Sequence, residues 1–192
     1  DRELSKMEFR ADALERAARI RMVVMDVDGT MTDGRIYIGP EGEAIKEFSV
    51  KDGMGITMLH KAGIKTAIIT GRKSEIVEHR AAELKIDSVW QGVKDKREAW
   101  QKIKEETGLT NREIAYVGDD LNDLSLLMQA GLACCAGDAQ AEVKKISHVI
   151  SGRDGGNGVV RDIAELILKT QGKWQQLVDA FAGNKSVPNY AQ

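Results

Sequence analysis

Three short apolar runs that each break off at polar side chains constrain this chain more than anything else in it. Val23, Val24 and Met25 close on Asp26 and Asp28 in "MVVMDVDGTMTDG". "KTAIITG" closes on Thr70, and "EIAYVGDD" closes on Asp119 and Asp120. Segments of helical period lie between them. Buried strands alternating with helices predict a parallel sheet with helices on both faces, a three-layer Rossmann-like α/β fold. Ligands in such sheets sit outside the carboxyl ends of the strands. An ionised carboxylate is expensive to bury unless it is paired or holds a metal. A strand end that carries two of them therefore points to chemistry.

The remaining elements follow from pattern. The opening segment to about Ile20 is amphipathic, with Leu4, Met7, Leu14 and Ala17 on one helical face. Ile36 to Ile38, a turn at Gly39 to Gly42, and Ala44 to Val50 predict a β-hairpin. Helices are expected over "DGMGITMLHK", stopped by Gly63, over "KSEIVEHRAAELK", and over Lys94 to Glu106, ended by Gly108. "SVWQG", "GLACCA" and "SHVI" predict further short strands. Another helix is expected from "GDD" to Gln129, and one over Val159 to Thr170. The rest is polar. The expected organisation is one domain over 1–192, with a core at 21–172, a hairpin at 35–50 and a flexible tail at 183–192.

Composition removes several classes of function. The 192 residues carry a formal net charge of −2, which offers nothing to nucleic acid or to an anionic membrane surface. No apolar stretch reaches the length of a membrane span, and the first twenty residues are too charged for a signal peptide. The two cysteines, Cys134 and Cys135, are adjacent, and neighbours on a strand point to opposite faces. They read as buried small hydrophobes in a reducing compartment, so a cytoplasmic protein is expected. "GGNG" at Gly155 to Gly158 lacks the spacing of a dinucleotide fingerprint and reads as a loop before a helix.

The strand ends converge on one crevice. Asp26, Asp28, Asp119, Asp120 and Asp123 would meet there, with Lys96 just after the third parallel strand. Each close carboxylate pair costs about 4 kcal/mol at an effective dielectric of 20. One lysine cannot balance five acids, whereas a hard divalent cation together with Lys96 nearly can. Oxygen donors without histidine or cysteine favour Mg²⁺ over zinc, with Mn²⁺ or Co²⁺ able to substitute. A metal, a lysine, a hydroxyl and loop amides suit a phosphoryl group. A carboxylate at the metal could attack phosphorus, and the second aspartate could protonate the leaving alcohol and later activate water.

"DVDGTMTDG", "IITGR", "QGVKDK" and "GDDLND" occur in the order of the four motifs of the haloacid dehalogenase superfamily of phosphatases, and the chain resembles that superfamily. The resemblance implies Asp26 as nucleophile, Asp28 as acid/base, and Thr70 and Lys96 as holders of the phosphoryl group. It implies a metal at Asp26, Asp119 and the main-chain carbonyl of Asp28, with Asp120 and Asp123 in support. "DGRIY", "FSVKDGMGITML", "AIITGRKSEIVEHRAAEL", "AYVGDDLND" and "GGNGVVRDIAELILKTQGKW" narrow it. The chain is similar to the 3-deoxy-D-manno-octulosonate 8-phosphate (KDO 8-phosphate) phosphatase family, the capless branch.

That family implies hydrolysis of a 2-keto-3-deoxy sugar acid phosphate to KDO and phosphate in lipopolysaccharide precursor synthesis. It also implies a homotetramer in which a neighbour's surface closes each site, with only the 35–50 hairpin in the slot of a cap domain. A carboxylate-bearing substrate suits arginine. Gly71, Arg72, Arg80 and Lys51 are the expected substrate contacts. Against each stands a plainer reading, such as a solvated helix N-terminus for the three late aspartates or a helix cap for Thr70. A phosphatase for the related nine-carbon keto acid phosphate and a non-catalytic oligomerisation module are the alternatives. A signalling receiver domain is excluded, because its phosphorylated aspartate lies on the third strand.

Overall fold

A computed structural model describes residues 7–183. Its main sheet has seven strands: β1 (Glu8–Phe9), β2 (Met22–Met25), β5 (Lys65–Ile69), β6 (Ser88–Trp90), β7 (Ile114–Gly118), β8 (Leu132–Cys135) and β9 (Val149–Ile150). They lie in the order β1-β9-β8-β7-β2-β5-β6. All neighbours are parallel except β1, which runs antiparallel to β9 at one edge. β3 (Tyr37–Gly39) and β4 (Gly42–Ile45) form a separate antiparallel hairpin.

Register explains why the polar strand ends meet. Met25 of β2 stands beside Ile68 of β5 on one side and Val117 of β7 on the other. Asp26, Thr70 and Asp119 therefore leave the sheet at one level. The chain steps from β2 to β5 and β6, then crosses back to β7 on the far side of β2. The order reverses at β2, and a crevice opens at such a switch point.

Helices cover both faces. α2 (Val50–Lys61) packs on α7 (Val159–Thr170), and α7 also carries α1 (Ala13–Ala17) and α8 (Trp174–Phe181). α4 (Lys96–Thr107) packs on α5 (Leu124–Leu127), which meets α6 (Ala141–Ile146). α3 (Glu75–Glu83) joins β5 to β6. Right-handed crossovers put these two groups on opposite sides of the sheet. Local sequence sets the helix ends. Ser49 caps α2 by accepting from the Lys51 amide at 3.2 Å, Asp95 caps α4 by accepting from the Arg97 amide at 3.0 Å, and Gly108 ends α4 at φ 70°.

The structure departs from the sequence reading in several places. The N-terminal helix is confined to α1. Phe9 lies in strand β1, Met7 is buried before it, and Leu14 is exposed. Leu4 lies outside the described residues. The second hairpin strand stops at Ile45, because Ser49 already caps a helix that begins at Val50. The expected helix up to Gln129 is a 3₁₀ turn over Leu121–Asp123 followed by the short α5. α6 and α8 were not foreseen. The core reaches outside 21–172 to take in Met7, Ala13, Ala17, Ile20 and Leu177. All of the expected 183–192 tail except Gly183 lies outside the described residues. Among the described residues no helix is long and apolar enough to cross a membrane. Cys134 and Cys135 are both buried and free, as the sequence suggested.

Candidate active site

At the end of β2 Asp26 is buried, 4 % exposed. Lys96, the first residue of α4, is buried as well and donates to Asp26 Oδ1 at 2.9 Å and to Asp123 Oδ1 at 2.8 Å. Asp123 is fully enclosed. Its Oδ1 also accepts from the Tyr116 hydroxyl at 2.6 Å, and its Oδ2 accepts from the amides of Asp119 at 2.9 Å and Asp120 at 3.2 Å. Tyr116 comes from the middle of β7, edge-on to Trp100 with ring centroids 6.1 Å apart. Asp123 thus spends both oxygens on fixing Lys96 and the turn after β7.

The carboxylates strain against one another. Ligand oxygens of Asp26, Asp119 and Asp123 all lie within 4.8 Å. Burial, followed by the charge of Asp123, pushes the Asp26 carboxyl up to about 6, although Lys96 pulls the other way. Burial and the charges of Asp26, Asp123 and Asp120 push Asp119 up to about 8. Lys96 is held charged: burial works against its ammonium, but Asp26 and Asp123 outweigh it. Asp119 accepts from the Thr30 hydroxyl at 3.4 Å, a long contact. The signature loop has no room beside it. A Cβ on Gly29, where φ is +90°, would lie 2.0 Å from Asp119 Oδ2.

These facts satisfy the requirements of a hard divalent cation. The donors are all oxygen, two of the acids are pushed up by burial and by their neighbours' charges, and one positive side chain faces three negative ones. Both oxygens of Asp123 are already engaged, so Asp26 and Asp119 are the acids that could turn an oxygen to such an ion.

Asp28 has a different set of partners. Its Oδ1 accepts from Lys46 at 2.6 Å, and Arg72 Nε lies 3.8 Å from its Oδ2. Lys46 follows β4 of the hairpin, and its side chain is only 2 % exposed. It also pairs with Glu43 Oε1 at 2.8 Å. Glu43 in turn accepts from the hydroxyl of Ser74, the residue that caps α3. Burial opposes the charge on Lys46, but hydrogen bonds to Asp28 and Glu43 raise its hold on the proton. Arg72 Nη2 stands 3.9 Å from Glu43 Oε1 and remains half-exposed.

The structure gathers Asp26, Lys96, Asp119 and Asp123 at one point, and Asp28 and Arg72 beside Lys46 at another. Thr70 is buried at the end of β5, and Gly71 lines a groove with Lys96 and Asn122. The Asp120 side chain is exposed and caps the following turn. Lys51 lines a separate cleft of ≈ 620 Å³ between α2 and the loop at 152–157, a size suited to a small molecule. That loop abuts the signature loop, where the Gly156 amide donates to Thr30 O at 3.0 Å. Arg80 lies against the Phe48 ring at 5.8 Å and pairs with Glu83 at 2.7 Å. Sequence reasoning missed Lys46, Glu43, Ser74 and Tyr116. The Tyr116 hydroxyl inside an apolar strand was a signal, since a buried phenol needs a partner.

Comparison with known proteins follows the same lines. A family model for haloacid dehalogenase-like hydrolases matches residues 88–163. The KDO 8-phosphate phosphatase of Yersinia pestis is 41 % identical over 162 residues, covering 84 % of this chain and 87 % of that protein. This chain belongs to the KDO 8-phosphate phosphatase family. A solved phosphatase of the family, from Moraxella catarrhalis, is in complex with a magnesium ion, a phosphate ion and KDO. It superposes with a TM-score of 0.86 at 38 % identity, covering 90 % of this chain and 99 % of that one. The cobalt-bound enzyme of Haemophilus influenzae superposes at 0.83 with 36 % identity, over 88 % and 98 % of the two chains. Within the family fold, β2 and β7 carry the acids of this chain and the hairpin occupies the slot after the first motif.

Proposed function

We propose that this chain is a Mg²⁺-dependent phosphomonoesterase that hydrolyses KDO 8-phosphate to KDO and phosphate. The observation that carries the reading is the buried Lys96 bridging Asp26 and Asp123 beside Asp119. An assembly module would have no use for so costly a cluster. The likeness to relatives named for this substrate, one of them holding magnesium, phosphate and KDO, supports the choice of ester.

In this reading Asp26 attacks phosphorus in line. A bond forms from its carboxylate to phosphorus as the bond to the sugar oxygen breaks. Asp28 gives its proton to the departing oxygen. It then takes a proton from water, which attacks the aspartyl-phosphate and frees both Asp26 and phosphate. Lys96 and Thr70 hold the phosphoryl oxygens, and Asp123, anchored by Tyr116, keeps Lys96 aimed. Asp26, Asp119 and the carbonyl of Asp28 would hold the Mg²⁺, which supplies charge neutralisation for the phosphoryl group. Co²⁺ or Mn²⁺ would serve in its place, and the cobalt-bound relative supports this. Gly71 and Arg72 face the sugar acid, with Lys51 and Arg80 further out and Asp120 at the rim.

The hairpin supports a homotetramer. Ile36, Ile38 and Ile45 are 44, 71 and 51 % exposed, with Val50 and Met54 open beside them. A patch of this kind marks an interface. Phe48, between the hairpin and α2, packs partly against the core and does not add to this patch. The chain is read as a single catalytic domain. Its two free, buried cysteines fit the cytoplasm.

The test is phosphate release from KDO 8-phosphate, the nine-carbon keto acid phosphate and simple sugar phosphates, with Mg²⁺ and with EDTA. KDO 8-phosphate is expected to give the highest kcat/KM. EDTA and Asp26→Asn should each reduce release to background. Turnover that survives exhaustive chelation, or an active Asp26→Asn protein, would overturn the reading.

A further inference from the structure

The hairpin is more than an exposed patch, since one of its side chains reaches back into its own crevice. The Lys46 side chain is buried between Asp28 and Glu43. Its ammonium takes Oδ1 of Asp28 at 2.6 Å and leaves Oδ2 without that partner, with Arg72 Nε 3.8 Å away, beyond hydrogen-bond reach. The two oxygens of one carboxyl are thereby given different surroundings. Glu43 completes the clasp from the same hairpin, with Lys46 on one oxygen and Ser74 at the start of α3 on the other. Docking of the hairpin and orientation of Asp28 are therefore one event.

We infer that Lys46 is the positioning residue for Asp28: it pins one carboxyl oxygen so that the other, carrying the transferable proton, faces the leaving group. The inference rests on the phosphatase reading above and adds a residue to it. A misplaced acid costs most when the leaving group is a poor one. An alkoxide from a sugar must be protonated as it departs, whereas a nitrophenolate needs no proton. The comparison of kcat/KM, which covers only the steps up to aspartyl-phosphate formation, isolates that difference.

The experiment measures kcat/KM for wild type, Lys46→Met, Lys46→Arg and Glu43→Gln on KDO 8-phosphate and on p-nitrophenyl phosphate, with Mg²⁺ saturating. Lys46→Met keeps the stem and loses the donor. Its kcat/KM should fall roughly 10- to 100-fold on the sugar ester, a part of the 10²–10⁴ that a positioned acid contributes, and less than about 3-fold on the aryl ester. Lys46→Arg should recover part of the sugar-ester rate. Glu43→Gln should show the same selective loss in weaker form, and it carries the test if Lys46→Met fails to fold. Equal losses on both esters would mean that Lys46 serves the phosphoryl group or the fold, and would overturn the inference. So would no loss on either. A wild-type protein inactive on both esters would instead remove the phosphatase reading, and this inference with it.

Discussion

The Tyr116 hydroxyl donates to Oδ1 of Asp123 at 2.6 Å, from the middle of a strand otherwise built of Ile, Ala, Val and Gly. It is one of four donors on that carboxylate, and Lys96 is another. Tyr116→Phe leaves the ring and its contact with Trp100 and removes the donor to Asp123 together with the oxygen that accepts from Lys96 Nζ at 3.1 Å. The expected cost is about 1 kcal/mol of stability, a drop of about 2–4 °C in Tm. Because Lys96 shares the same oxygen, kcat should also fall, by up to about 10-fold, which corresponds to about 1.4 kcal/mol of barrier. Scanning calorimetry and steady-state kinetics on the pure variant check both figures. An unchanged kcat would show that Lys96 is aimed by Asp26 alone.

In the metal-free protein, Asp26 and Asp119 hold their protons more tightly when folded, at about 6 and about 8, than the ordinary value of 3.8. Their contribution to stability is complete below about 4 and is lost as pH rises through 6 and then 8. With EDTA, Tm should therefore decline from about pH 4, where the unfolded carboxyls lose their protons, to about pH 8, where the last folded one does. Asp119→Asn should flatten the upper part of that decline. Added Mg²⁺ should raise Tm, and raise it more at the higher pH, because it replaces the protons. Thermal melts across pH with and without Mg²⁺ make the comparison. A metal-free Tm that climbs over this range would contradict it.

Gly29→Ala tests how tightly the signature loop grips Asp119. The new Cβ would fall 2.0 Å from Asp119 Oδ2, at a φ of +90°. Backbone strain alone should cost about 1–3 kcal/mol. The displaced Asp119 should raise the Mg²⁺ concentration needed for half-maximal activity more than it raises KM for the ester. Metal titrations at saturating ester separate the two. Equal effects on metal and ester would mean that the loop moved as a whole.

Ile38→Asp with Ile45→Asp places two charges on exposed positions of the hairpin and leaves the buried core unchanged. Light scattering should show the assembly dissociating to single chains. Efficiency on the sugar ester should fall further than on p-nitrophenyl phosphate, since only the larger substrate needs a roof. Single chains in the unaltered protein would end the tetramer proposal.

What the sequence disclosed depended on how local each signal was. The strand ends were legible because Val23 to Met25 and Ile114 to Val117 are continuous apolar runs that stop at acids. Lys96 was legible from its place in "QGVKDK". Lys46 was hidden, because a lysine on a hairpin looks solvated until the hairpin folds back, and no spacing within the chain encodes that. α8 was legible but overlooked: Trp174, Leu177, Val178 and Phe181 stand at helical intervals. β1 could not be foreseen, since two residues acquire a strand conformation only by pairing with Ile150 and Val149, far along the chain.

The sheet also contains its own stopwatch. The chain's two cysteines sit side by side in β8, clasped between β7 and β9, both fully enclosed. Burial raises the Cys134 thiol well above its ordinary range and the Cys135 thiol to about 11. An alkylating reagent can reach neither sulfur while β8 stays zipped between its neighbours. Each modified chain therefore records that the centre of the molecule came apart at least once. A mass spectrum taken over hours would follow how fast openings lead to labelling, with no dye, no introduced probe and no need for turnover.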